Sequence, residues 1–181
     1  YFRAHKYFNN FKITKCADIN QNAANKCAKI NKIKAVTIKE LLSDTDIKII
    51  LNLTIPTAHY TVAKQALLNG KHVYSEKPLA INFQDGKKLM KQAKKKKIYV
   101  GNAPDTELGG GSQKSRDLLD KKVIGKVIFG NAIFAYPGIQ SYHPNPESWF
   151  AKKGGGPVVD MGPYYLTALV NLLGPAKEVL S

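Results

Sequence analysis

Tyr74-Ser75-Glu76-Lys77-Pro78-Leu79-Ala80 sets a carboxylate, an amine and a proline side by side. The stretch follows a strand signal, His72 to Ser75, and precedes a helix signal that Asn82 can cap. In open α/β sheets ligands sit beyond the carboxyl ends of strands. A charged turn closed by Pro is also an ordinary way to leave a strand. The sequence on either side must choose between the two readings.

Toward the N-terminus, Ile47 to Leu53 is nearly all apolar, as expected of a strand buried on both faces. Thr54-Ile55-Pro56-Thr57 reads as a loop, and Thr57 can cap a helix from His59 to Asn69 that Gly70 stops. Val62, Ala63, Ala66 and Leu67 give that helix one apolar face. Further out, Phe11 to Ala17 alternates like a strand and ends at Asp18. A helix follows from about Asn20 to Ile30, then a short apolar pair, Ala35-Val36. Thr37 and Glu40 have capping-box spacing for a short helix through Leu42. Tyr1 to Phe8 reads as the back half of a helix, so the chain is expected to start inside a longer one. Beyond the opening stretch, a helix to about Lys96 is expected to turn Phe83, Leu89, Met90 and Ala93 inward, and Ile98-Tyr99-Val100 forms the next strand.

Residues 11–100 therefore alternate strand and helix, which argues βαβ units and a parallel sheet. Four candidate groups leave the strand ends: Asp18, the 52–56 loop, Glu76-Lys77 and Asn102. Their shared position at one edge of the sheet is the argument for a single site.

After Val100 the pattern changes. Residues 102–111 read as a linker, so the expected division is 1–102 and 103–181. Leu118 and Leu119 belong to a helix ending near Lys122. Lys126 to Tyr136 reads as a long strand, with Gly130 suggesting a bulge. Gly154-Gly155-Gly156-Pro157 leads into a helix through Leu173, and Glu178 to Leu180 begins another strand. Asp160 and Tyr164 are four apart and share a face. That face points away from Leu166, Leu169, Val170 and Leu173, the expected packing stripe. Pro163 is tolerated only in a first turn; the helix would then start near Met161 or Gly162, with Asp160 as its cap.

The chain has 181 residues and a formal net charge of +15. Nearly all the basic residues are Lys, with Arg only at Arg3 and Arg116, and bidentate phosphate recognition favours Arg. Lys94 to Lys97 ends a helix, where cations suit the dipole. Specific nucleic-acid binding is therefore not expected. No apolar run approaches the roughly 20 residues that span a bilayer. Cys16 and Cys27 lack metal-ligand spacing and read as buried thiols, which fits a reducing cytoplasm and no metal.

The Glu76-Lys77-Pro78 motif after a βαβ array, followed by Gly154-Gly155-Gly156 and Asp160-x-Gly162, resembles the Gfo/Idh/MocA family of nicotinamide-dependent oxidoreductases. The resemblance covers nearly the whole chain. It implies a Rossmann-type parallel sheet, here lacking its first strand, followed by the start of an α+β domain with an open antiparallel sheet. It implies hydride transfer between NAD(P) and a sugar, polyol or related hydroxy compound. By position, Asp18 resembles the acidic residue that binds the adenosine ribose, favouring NAD over NADP. Thr54, Ile55, Pro56 and His59 match the loop that passes under the cofactor, and Asn102 joins them at the strand ends. Glu76 resembles the residue holding the nicotinamide ribose, and Lys77 the lysine touching both ribose and substrate hydroxyl. Asp160 matches the substrate-site aspartate. The resemblance also implies a homo-oligomer in the intact parent.

Two departures stand out. The family commonly has His four residues after that Asp, as general base; here the position is Tyr164. The family's first strand and Gly-rich phosphate loop should precede Tyr1. The second departure keeps an alternative open, a non-catalytic fragment or remnant that cannot bind the dinucleotide properly. Asp105 near the junction, and His143, Asn145 and Trp149 in an irregular segment, are candidates for a polyol pocket; a surface loop is the alternative for all of them.

Overall fold

The computed structural model describes residues 1–141, 150, 152 and 154–180. Five strands and six helices carry the architecture of these residues. In order they are β1 Lys15–Cys16, α1 Gln21–Asn31, β2 Lys34–Ala35, α2 Ile38–Ser43, β3 Ile49–Asn52, α3 Pro56–Leu68, β4 His72–Ser75, α4 Phe83–Lys96, β5 Val100–Asn102, α5 Gly110–Asp120 and α6 Pro157–Leu173.

Every strand pairing is parallel. β3, β4 and β5 form one sheet in chain order, with Ile50 opposite Val73 and Tyr74 opposite Gly101. β1 and β2 form a second pair, with Cys16 opposite Ala35. Each parallel step needs a crossover, and α1, α3 and α4 supply them. The core lies between the larger sheet and its helices. Ala63, Ala66, Leu67 and Leu89 are fully buried there against Ile50, Val73 and Ala93. Burying Leu67 and Leu89 contributes about 1.5–3 kcal/mol each.

Local signals set the helix ends. Asn20 Oδ1 accepts from the backbone N–H of Asn22 and Ala23 at the start of α1. Thr37 and Glu40 close the expected capping box. Asn82 Oδ1 accepts from Asp85 N at the start of α4. α3 departs from expectation. It begins at Pro56, not after Thr57, and has no side-chain cap. Pro at the first helical position has no N–H to satisfy and a fixed φ that suits the helix, so no cap is required.

Several expectations are corrected. Ile49 is 56% exposed, so β3 is covered on one face only, because α3 and α4 pack on the same side of the sheet. Phe83 and Met90 lie on the outer face of α4 and are exposed, while Leu89 and Ala93 carry its packing. Residues 1–8 contain a short helical turn at Ala4–Tyr7 and no α-helix. Residues 126–136 form no strand, nor do 178–180. A strand is held by its neighbour's ladder, and no described segment lies beside them to provide one. Gly130 marks a close approach and not a bulge; a Cβ there would stand 3.0 Å from Leu173 Cδ1.

α6 is corrected most. It starts at Pro157, with Pro163 inside it and Asp160 in its first turn, so Asp160 is not the cap. The helix tolerates Pro163 because only the Val159 carbonyl loses its donor, one turn from the end. The stripe Leu166, Val170 and Leu173 is exposed, whereas the Asp160 side chain is 11% exposed. The polar face of α6 is thus the one turned to the parallel sheet. Arg116 of α5 holds the other end of α6, donating to the carbonyls of Asn171 and Leu172 at 3.0 and 2.8 Å.

Candidate active site

The site grows from a polar residue inside an apolar strand. Asn52 ends β3 and is 1% exposed. Its Nδ2 donates to Ser75 Oγ at 3.0 Å and to the His59 carbonyl at 3.1 Å. Its Oδ1 accepts from Thr54 Oγ1 at 2.7 Å. One amide therefore ties the end of β3, the loop after it, the first turn of α3 and the end of β4. The sequence signal for this hub was a lone Asn in an apolar run, since a buried polar group needs partners. The sequence reading places Asn52 at the start of the candidate 52–56 loop but does not select Ser75.

His59 is equally buried, at 1% exposure. Its Nδ1 lies 2.6 Å from the Pro78 carbonyl and its Nε2 lies 2.7 Å from the Thr54 carbonyl. The ring bridges the loop after β3 and the turn after β4, with no ring nitrogen left over. Asn102 ends β5 and donates to the carbonyls of Ser75 and Glu76 at 2.9 and 3.0 Å. The Glu76 backbone N–H donates to the Asn52 carbonyl at 2.9 Å. The ends of β3, β4 and β5 are therefore laced into one floor.

Glu76 and Lys77 rise from that floor. Glu76 Oε1 accepts from the Tyr1 hydroxyl at 2.8 Å, and Oε2 accepts from Lys77 N at 3.1 Å. Burial, then the Glu76 carboxylate, holds the Tyr1 phenol above its ordinary range. Burial also raises Tyr74, with smaller contributions from Asp105, Glu76 and Glu107. Lys77 Nζ donates to the Asp160 carbonyl at 2.6 Å and forms an ion pair with Asp160 Oδ1. The two side chains are 14% and 11% exposed, so the pair is largely desolvated. Such a pair is costly to break from one side, because the partner left behind is a buried charge. The ammonium also lies over the Tyr164 ring, 5.2 Å from its centroid.

A cleft of about 180 Å³ opens here, lined by Thr54, Pro56, Glu76, Lys77, Val159 and Asp160, with His59 and Pro78 at its base. Residues from the ends of β3 and β4 meet residues of α6 across it. The sequence-selected Thr54, Pro56, His59, Glu76, Lys77 and Asp160 are thus brought together, and Tyr164 joins them through Lys77. Asn102 supports the floor without lining the cleft. Ile55 is 56% exposed just before α3. Asp18 lies beyond β1 on the smaller sheet, exposed, with Oδ1 accepting from Asn20 N at 2.8 Å. Asp105 is exposed near Tyr1 and Tyr74. His143, Asn145 and Trp149 lie outside the described residues. Among the described residues no group of His, Cys, Asp and Glu is arranged to hold a metal ion. No helix among them is long and apolar enough to cross a membrane.

Comparison with known proteins supplies independent evidence. The profile of an oxidoreductase family with an NAD-binding Rossmann fold, GFO_IDH_MocA, matches residues 2–103. The profile of the GFO/IDH/MocA C-terminal domain matches residues 112–181. The trans-1,2-dihydrobenzene-1,2-diol dehydrogenase of Xenopus laevis is 32% identical over 136 residues, which are 74% of this chain and 40% of that protein. The D-xylose dehydrogenase of Paenarthrobacter nicotinovorans is 26% identical over 149 residues, 78% of this chain and 38% of that protein. The chain thus spans about two fifths of the length of these curated relatives. A crystal structure of an NAD binding oxidoreductase from Klebsiella pneumoniae superposes with a TM-score of 0.75 at 24% identity, covering 90% of this chain and 44% of that one. The parallel sheet with Lys77 at its edge, and the two adjoining profile matches, agree: the chain belongs to the Gfo/Idh/MocA oxidoreductase family.

Proposed function

We propose that the protein is an NAD(P)-dependent dehydrogenase that oxidises or reduces a hydroxyl carbon of a sugar, polyol or related diol. The observation that carries this reading is the Lys77 amine, largely buried at the end of β4 and held by Asp160 from α6. An ammonium has three donors. Asp160 takes two of them, which leaves one for a substrate oxygen in the cleft. There Lys77 would stabilise negative charge developing on the oxygen, and a donor fixed in advance needs no rearrangement as the reaction proceeds. Asp160 and Tyr164, both against the Lys77 ammonium, are the groups to receive or relay the hydroxyl proton. A bound nicotinamide would supply the hydride acceptor.

The chain's own residues offer partners for the two riboses of a dinucleotide. Asp18 offers an exposed carboxylate beyond β1, with one oxygen spent on Asn20. A ribose diol can donate to such a group, while a 2′-phosphate would be repelled by it. This supports NAD over NADP. Thr54, Ile55 and Pro56 would form the loop under the cofactor and Glu76 would meet the nicotinamide ribose, with Asn102 bracing the Glu76 backbone. The exposed stripe Leu166, Val170 and Leu173 supports a homo-oligomer. Two free thiols, Cys16 and Cys27, support a reducing cytoplasm.

Titration with NADH and NADPH, followed by turnover with sugars, polyols and diols, tests the reading. We expect saturable binding, tighter for NADH, and turnover of at least one polyol or diol. Replacing Asp18 with Ser should narrow the preference for NADH. A folded protein that binds neither nucleotide would overturn the proposal.

A further inference from the structure

We infer that Gly154 is a positioning residue: having no side chain, it seats the segment before α6 on Ile81 and so sets Asp160 against Lys77. Ile81 lies in the turn after β4, four residues past Lys77, and Gly154 lies six residues before Asp160. The same two segments therefore meet twice, once through the Lys77–Asp160 ion pair and once at Gly154. The second meeting leaves no room for a side chain. A Cβ on Gly154 would stand 2.7 Å from Ile81 Cδ1, 2.8 Å from Cγ2 and 2.9 Å from Cγ1. Carbon atoms in contact prefer about 3.5–4.0 Å.

Ile81 cannot turn aside. Both of its branches, Cγ1 and Cγ2, crowd that position. A β-branched side chain fills its three staggered places with two carbons and one hydrogen. Two of those places face Gly154, so every staggered rotamer keeps at least one carbon there. The backbone must then yield, and the backbone that yields leads into the turn carrying Asp160. Gly154 also has φ +86°, a conformation that strains any L side chain. Gly156 separates the two effects. Its φ is +92°, yet a Cβ there meets nothing within 4 Å. It bears the strain without the contact, and it lies nearer to Asp160.

The pair that Gly154 sets is sensitive to such a shift. The Lys77 ammonium donates to the Asp160 carbonyl and pairs with the Asp160 carboxylate. Both acceptors belong to one residue, so moving the start of α6 withdraws them together and exposes the amine. The bearing of Gly154 on hydride transfer rests on the dehydrogenase reading above; its hold on Lys77 does not.

The test measures how fast each lysine is acetylated by an amine-selective reagent, read by peptide mass, without nucleotide or substrate. Lys71 is the internal standard. It is 7% exposed, donates to the Asp44 carbonyl and lies at the opposite end of β4. Gly154→Ala should raise the Lys77 rate about tenfold, the change that about 1.4 kcal/mol of overpacking produces, and leave Lys71 unchanged. Gly156→Ala should raise it less. Ile81→Ala removes all three crowding atoms, so Gly154→Ala combined with Ile81→Ala should return Lys77 toward its original rate. An unchanged Lys77 rate, or an equal rise at Lys77 and Lys71, would overturn the inference. So would an equal effect of Gly156→Ala, or a double variant that restores nothing. If Gly154→Ala does not fold, Ile81→Ala alone should raise the Lys77 rate, because it empties the same contact; no rise would overturn the inference. These rates need no turnover, so they stand or fall independently of the dehydrogenase reading.

Discussion

Both halves of the chain carry apolar runs, yet they use them differently. In α3 and α4, Ala63, Ala66, Leu67 and Leu89 are fully buried. In residues 126–136, Ile128 is 92% and Phe129 is 80% exposed. A βαβ unit closes its own core, because each strand finds its partner one helix away. The longer segment in the second half requires a ladder partner from elsewhere, and among the described residues none is beside it. The second half orders α5 and α6, and polar groups tie α6 to both of its neighbours. Asp160 meets Lys77, Arg116 caps the far end, and the apolar stripe between stays open. The site therefore joins a self-sufficient layer to one helix that is held by charge.

The contrast can be broken or sharpened by substitution. The largest effect is expected at Leu67, where truncation to Ala leaves a cavity in a fully buried position and should cost about 2–5 kcal/mol in denaturant unfolding. A cost under about 1 kcal/mol would mean that the first half is less closely packed than the full burial of Leu67 implies. Next comes Gly101, whose added Cβ would stand 2.9 Å from the Tyr74 ring. Gly101→Val should cost about 1–3 kcal/mol and disturb Tyr74 and Tyr1 above the site. Removing the cap of α1 with Asn20→Ala should cost about 1 kcal/mol. At the other end of the scale, Ile128→Lys should stay within about 0.5 kcal/mol, since its side chain is already in water. A large loss there would reveal a partner surface for residues 126–136.

Acid should act on the first half as well. Asp44 is held below the usual carboxylate range by Lys15, Glu40 by the Thr37 backbone N–H, and Asp85 by Asn82. Groups lowered in the folded state stabilise it above their ordinary value of about 4, and lose that contribution as pH falls through the lowered values. Thermal midpoints should accordingly be flat above that range and fall below it. Asp44→Asn should flatten the fall.

The alternation of strand and helix was legible because each parallel unit writes its own period and its own caps into a short stretch. Asn20, Thr37 and Asn82 show this, since each caps the helix that its spacing announces. The cleft was legible at Glu76, Lys77 and Asp160, where reactive side chains stand beside turn residues. The hub was not. Asn52 and Ser75 act through partners 23 residues apart, and no local pattern joins them. The face of α6 was misjudged for a related reason. Periodicity marks the apolar stripe but cannot tell which layer will cover it, and here an ion pair decides which side turns inward.

The most direct test of the account replaces Lys77 with Met and measures hydride transfer to NAD with a turned-over polyol or diol, alongside NADH affinity. The account predicts that kcat/KM falls by about 10²–10³-fold, the loss typical of one fixed donor at a developing negative charge. It predicts that NADH binding changes little. Turnover that survives the substitution would contradict the role given to Lys77 and the reading of the cleft built on it.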